Sequence, residues 1–127
     1  MRALIISILS VAVIIASWGI FVNYSDKSIH EMTNAIEDEI LISVYAEDWT
    51  NAQAQFDEFS KKWHKEKKIY SFFYSTVSLN ETDYSIARAK NYIYSENIAL
   101  SSGELSCIKE QLGFLHLNEL ISLDNLF

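Results

Sequence analysis

The chain has 127 residues, half of them apolar, with a formal charge of −7, no proline, three glycines and one cysteine. That length holds one domain and little more, and the apolar content excludes a disordered polar tail. The acidic balance argues against a general nucleic-acid binder, and the lone Cys107 excludes an internal disulfide and the usual four-cysteine zinc site.

The first element is "ALIISILSVAVIIASWGIFV", residues 3–22, which carries no charge. A run of about 20 apolar residues in a helix spans a bilayer core. Ser7, Ser10 and Ser17 do not spoil it, because each hydroxyl can bond back to a carbonyl one turn earlier. Trp18 and Tyr24 fall toward its far end, where aromatic rings favour the membrane–water interface. A cleaved signal peptide is the competing reading, with Ser17-Trp18-Gly19 as a cleavage site. The apolar run continues through Ile20, Phe21 and Val22, beyond the roughly 7–15 residues of such a peptide. Residues 1–24 are therefore read as a single-pass, uncleaved anchor. Arg2 and the amino terminus on one side, against Lys27 on the other, give an N-in, C-out orientation by the positive-inside tendency. Residues 25–127 are then an extracytoplasmic domain. Asn23-Tyr24-Ser25 and Asn80-Glu81-Thr82 match glycosylation sequons, which matter only in a eukaryotic secretory pathway.

Next, Ser28 with Glu31 forms a capping-box pattern, and Ile29, Met32, Ile36, Ile40 and Val44 recur at helical spacing. The polar Asn23 to Asp26 leaves open whether this helix continues the anchor. Asp48 is a good N-cap for a second helix. Trp49, Ala52, Phe56, Phe59 and Trp63 follow at steps of three and four, a seam of the kind helices use against each other. "KKWHKEKK", residues 61–68, closes that helix with lysines, which suits a helix C-terminus. In "IYSFFYSTVSL", residues 69–79, the composition is strand-like, but no other segment offers a partner strand. The first half is read as helix continuation or a packed turn and the second half as loop. Asn80 or Thr82 caps a third helix carrying Ile86, Ala89, Ile93 and Leu100. Ser101 with Glu104 opens a fourth, with Leu105, Ile108, Leu112 and Leu115 on its apolar face. The tail "LISLDNLF" is apolar enough to dock on the bundle. The helix pairs faintly resemble the tetratricopeptide pattern, but no convincing internal repeat is visible. The expected fold is all-α: an N-terminal transmembrane helix followed by a small antiparallel bundle of about four helices, with a core of Trp49, Phe56, Phe59, Trp63, Ile86, Ile93, Leu105, Ile108 and Leu112.

No motif carries an obvious chemistry. His30, His64 and His116 are not in a metal-binding spacing, since His30-Glu31 lacks a second ligand. Glu37-Asp38-Glu39 point in different directions around a helix and read as a solvated face. No glycine-rich phosphate loop or G-x-S-x-G is present, so no cofactor and no enzymatic activity are expected. Cys107, between Leu105 and Ile108, reads as a buried or half-buried structural thiol. Two features retain functional weight. The lysine run offers charge for an acidic partner or lipid headgroups. The cluster Tyr70, Phe72, Phe73, Tyr74 offers a groove for a partner helix or peptide.

The anchor, Asp48-Trp49 with Ala52, Trp63, Phe72-Phe73, Ile86-Ala87-Arg88 and the closing Asn125-Leu126-Phe127 together resemble the bacterial domain-of-unknown-function family 4363, found mostly in clostridia. The loop after Phe72-Phe73 departs from that pattern, reading Ser75-Thr76-Val77-Ser78 where relatives carry a histidine and acidic residues. The resemblance implies a Gram-positive, membrane-anchored helical protein without established enzymatic activity, accompanying a multi-pass membrane protein. The expected function is a non-enzymatic accessory or scaffold protein of the cell envelope that binds a membrane or envelope partner protein, with no nucleic acid involved. Lys61, Lys62, Lys65, Lys68, Tyr70 and Tyr74 are the expected partner contacts. The alternative is a membrane-tethered sensor binding a small ligand or peptide, which requires an apolar pocket with a few convergent polar groups.

Overall fold

The computed structural model describes the backbone of residues 1–126 and the side chains of residues 1–115 and 117. The expected docking of residues 120–127, and the role of His116, lie outside the described side chains. The described residues form four helices and no strand: α1 (Arg2–Tyr45), α2 (Trp49–Tyr70), α3 (Thr76–Tyr94) and α4 (Ile98–Leu126). α1 packs on α2 and α4, and α3 packs on α2 and α4, so the four close into an antiparallel ring. Short turns between sequential helices enforce that up-down arrangement.

α1 settles the question of continuity. It runs 44 residues without a break, from the apolar segment into the bundle. Asn23 to Asp26 stay helical, and Ser28 lies inside the helix rather than capping a new one. A capping pattern is satisfied by any Ser with a Glu three residues on, and here the backbone ladder is already complete. Ser7 and Ser10 donate to the carbonyls of Ala3 (2.9 Å) and Ile6 (2.8 Å), so these two hydroxyls are satisfied within the apolar helix. Leu4, Ile5, Ile8, Leu9, Ile14 and Ile20 are among its exposed side chains, whereas burial begins at Phe21.

One turn of α1, Ile36–Ile40, is π-helical. Its sequence supplies a reason. Met32, Ile36, Ile40 and Val44 are all fully buried, three consecutive steps of four. In a regular α-helix each such step rotates the stripe by about 40° away from the core. One widened turn takes up that drift and keeps Val44 facing inward.

The two far-end turns share one construction. Ser43 and Val44 carbonyls accept from Asp48 (2.9 Å) and Glu47 (3.0 Å), and Tyr92 and Ile93 carbonyls accept from Asn97 (3.1 Å) and Glu96 (3.1 Å). Each is the crossed hydrogen-bond pair that closes a helix through one left-handed residue. That residue is Glu47 (φ 56°) in the first turn and Glu96 (φ 57°) in the second. Asp48 then accepts from the Asn51 amide at 3.4 Å, and Asn97 from the Leu100 amide at 2.9 Å, capping α2 and α4. The fourth helix therefore opens at Ile98, and Ser101 is a buried interior residue rather than its cap.

These turns expose an internal repeat, which corrects the expectation of none. Tyr45 and Tyr94, and Glu47 and Glu96, stand 49 positions apart. At the same offset Ile40 matches Ala89, Val44 matches Ile93, Phe56 matches Leu105, Phe59 matches Ile108 and Trp63 matches Leu112, and all are buried. Trp49 and Ile98 are both half-buried, so Trp49 packs against the core rather than inside it. The bundle is two similar helical hairpins, one beginning inside the long apolar helix. Ile86 completes the core on α3, at 4% exposure.

α3 starts at Thr76, earlier than its apolar spacing predicts, with Ser75 at the N-cap position. Thr76, Val77 and Ser78 are weak helix formers, but Leu79 is 1% exposed. Burying one leucine is worth about 2 kcal/mol, more than the summed propensity deficit of one turn.

Candidate functional site

At the end of the bundle opposite the two capped turns, α2 and α3 are joined by residues 71–75, beside the part of α1 where the apolar run ends. The junction is aromatic because α2 delivers Tyr70 and Tyr74 follows four residues later; the Tyr74 amide bonds to the Tyr70 carbonyl at 2.8 Å. Phe73 stacks on Phe21 at 3.7 Å and lies 5.6 Å from Trp18, ring centroid to centroid. Tyr70 and Tyr74 continue the cluster inward toward Trp63. The Tyr74 ring lies 5.4 Å and the Trp63 ring 6.0 Å from that of Tyr70.

Beneath the rings lies a hydroxyl layer. Tyr70 is fully buried, and its hydroxyl donates to Ser28 Oγ at 2.6 Å. Ser25 Oγ and Tyr74 Oη share a hydrogen bond of 2.6 Å, and Tyr24 donates to the buried carboxylate of Glu66. Buried polar groups are tolerated when each finds a partner, and the serines on α1 are what allow the tyrosines inside. Farther along, Trp63 Nε1 donates to Asp83 Oδ1 at 2.7 Å, and Lys67 pairs with the other oxygen of Asp83. These bonds fasten α2 to α1 and α3.

The expectation that Tyr70 and Tyr74 form an exposed contact surface is corrected here. Tyr70 is sealed and Tyr74 half-buried, because their hydroxyls have serine partners on α1. The outward-facing members of the cluster are Phe72, 82% exposed, and part of Phe73. Ile69 and Val77 extend that apolar surface on either side of the turn.

Lys61, Lys65 and Lys68 lie exposed along one face of α2, at spacings of four and three. Lys61 pairs with Glu58 on the same helix at 3.7 Å, whereas Lys62 pairs with Glu31 across to α1 at 2.6 Å. That pair holds the Glu31 carboxyl below its usual range, through the hydrogen bond from Lys62 first and its charge second. On the opposite side Lys109 pairs with Glu37, which pushes the Lys109 ammonium up, and Arg88 bridges Glu104 at 2.9 Å. Glu37 is thus a helix-to-helix partner rather than part of a purely solvated face. At the far end Tyr94 donates to Asp57 at 2.8 Å, and that bond raises the Tyr94 phenol.

The remaining candidates are dispersed. His30 and His64 are exposed, and His64 Nδ1 lies 2.7 Å from the Ser60 carbonyl oxygen. Among the described residues no three His, Cys, Asp or Glu side chains group as a metal site would require. Cys107 is exposed, which corrects the expectation of a buried or half-buried thiol: Leu105 and Ile108 take the inward positions and leave it outside. It borders an open groove of about 770 Å³ between α1, α3 and α4, also lined by Thr33, Thr82, Gln111 and Phe114. Gln111 donates to Ser85 at 3.0 Å, while its buried Oε1 has no partner among the described residues.

No curated protein and no solved structure matches the chain. The model of one family does, the domain of unknown function DUF4363, over residues 20–126. The match spans the whole bundle and starts at the residue before Phe21, the first buried side chain of α1. The chain belongs to the DUF4363 family.

Proposed function

We propose that the protein is a single-pass, membrane-anchored accessory protein of the bacterial cell envelope, without enzymatic activity, whose bundle binds a membrane or envelope partner protein. The observation that carries the reading is α1, apolar and exposed over its first turns and then continuous as the first helix of the bundle. A helix that is apolar all round and unburied belongs in lipid, and its unbroken continuation holds the bundle at a fixed attitude to the bilayer. Arg2 on the short side supports the N-in, C-out orientation. Lys61, Lys65 and Lys68 form the partner face, since Lys62 of the same run is committed to Glu31 on α1 and Lys61 reaches only the exposed Glu58 of its own helix.

The test is affinity purification of the full chain from its own membranes in mild detergent, beside a Lys61→Glu/Lys65→Glu/Lys68→Glu variant. The proposal expects one stoichiometric partner that the variant loses while its melting temperature is unchanged. A monodisperse protein that retains no partner in either form contradicts it.

A second reading, a sensor domain, is favoured by the groove beside Cys107, whose size falls within the range of ligand sites. Ligand-dependent thermal shifts abolished by Phe114→Ala would support it; shifts unaffected by that change would not.

A further inference from the structure

We infer that the α2–α3 turn is a second membrane contact, with Phe72, Phe73 and Val77 seated at the boundary between headgroups and acyl chains of the bilayer that holds α1. The inference rests on the reading of residues 3–22 as membrane-spanning.

The depth follows from geometry. A hydrocarbon core about 30 Å thick accommodates about 20 helical residues at 1.5 Å each, so residues 3–22 fill it with nothing to spare. Phe21 then lies at the outer edge of the core, and Trp18 about 4.5 Å deeper. Phe73 is stacked on Phe21 and contacts Trp18, so the turn that carries it is held at that same depth. Lipid around the apolar end of α1 meets the turn packed against Trp18 and Phe21.

The surface of the turn matches that place. Phe72 is 82% exposed and Val77 68%, more than any other large apolar side chain described from residue 21 onward. In water these side chains stand unpartnered, whereas the interfacial zone is where aromatic rings partition favourably. Through Phe73, which stacks on Phe21, the turn adjoins the half-buried Trp18 of α1. One anchor fixes position, and a second contact beside it fixes tilt and rotation.

The experiment uses the full chain with Cys107→Ser in nanodiscs of mixed phosphatidylcholine and phosphatidylglycerol. Nitroxide labels are placed singly at Phe72→Cys, Leu9→Cys and Glu47→Cys. Power saturation compares collision with oxygen, which concentrates in lipid, and with a water-soluble nickel chelate. Oxygen-favoured collisions at positions 9 and 72, with nickel-favoured collisions at 47, are the expected result. A nickel-favoured label at 72 beside an oxygen-favoured label at 9 overturns the inference and leaves the anchor standing. A label at 72 shielded from both reagents also overturns it, since protein rather than lipid then covers the turn. A nickel-favoured label at 9 overturns the anchor itself.

Discussion

Phe73, on the turn between α2 and α3, stacks on Phe21 of α1 with ring centroids 3.7 Å apart and planes 20° from parallel. One aromatic pair thus joins the end of the apolar helix to the middle of the chain. Phe73→Ala should lower the unfolding free energy by about 2 kcal/mol, less than for a sealed phenylalanine because the ring is partly exposed. Phe72→Ala, one residue away but outward-facing, should stay within about 0.5 kcal/mol of wild type. Thermal unfolding of the full chain in detergent, followed by circular dichroism, separates the two. Equal losses would mean that Phe72 is packed.

Trp63→Ala should cost about 3–5 kcal/mol, since the ring is fully buried. Trp63→Phe should cost about 1–2 kcal/mol, mainly because Asp83 loses the indole donor and keeps only Lys67. A Trp63→Ala protein of unchanged stability that fails to bind its partner would make the α2 stripe a binding face instead of a seam.

Glu47→Gly and Glu96→Gly should each stabilise the protein by about 0.5–1 kcal/mol, because both residues hold the left-handed conformation that glycine adopts freely. The matching turns should respond alike. A fall in melting temperature for either variant would show that its carboxylate does something the backbone geometry does not require.

The Glu31–Lys62 pair gives a pH dependence of definite sign. The folded-state pKa of Glu31 is lowered, so its contribution is present above the ordinary carboxylate range and is lost as pH falls through the folded value. Lys62→Met should therefore be less stable than wild type at neutral pH, and the difference should shrink on acidification. The effect is small, since both side chains remain partly exposed to solvent, and it should diminish with salt. A difference that grows toward acid would contradict the assignment.

Much of this architecture is legible from spacing. Phe56, Phe59 and Trp63 announce one seam, and Leu105, Ile108 and Leu112 another, because burial in a helix leaves a period in the sequence. Boundaries are less legible. Ser28 and Ser101 imitate caps although each sits inside a helix, and Asn97, the cap in use, carries no glutamate three residues on. The repeat is hidden because it keeps burial and shape, not identity: Trp63 corresponds to Leu112, and Ile40 to Ala89. The inward turn of Tyr70 is equally hidden, since its hydroxyl partner Ser28 lies 42 residues earlier on another helix. Long-range hydrogen bonds leave no local pattern.

If one rigid helix carries the bundle on the membrane, its backbone amides are protected along its whole length. Hydrogen–deuterium exchange of the full chain in nanodiscs tests it most directly, read along residues 3–35. Slow exchange should run uninterrupted, protected by lipid over residues 3–20 and by bundle packing from Phe21 onward. Fast exchange at residues 23–27 would sever anchor from bundle, and fast exchange at residues 5–17 would remove the helix from the membrane altogether.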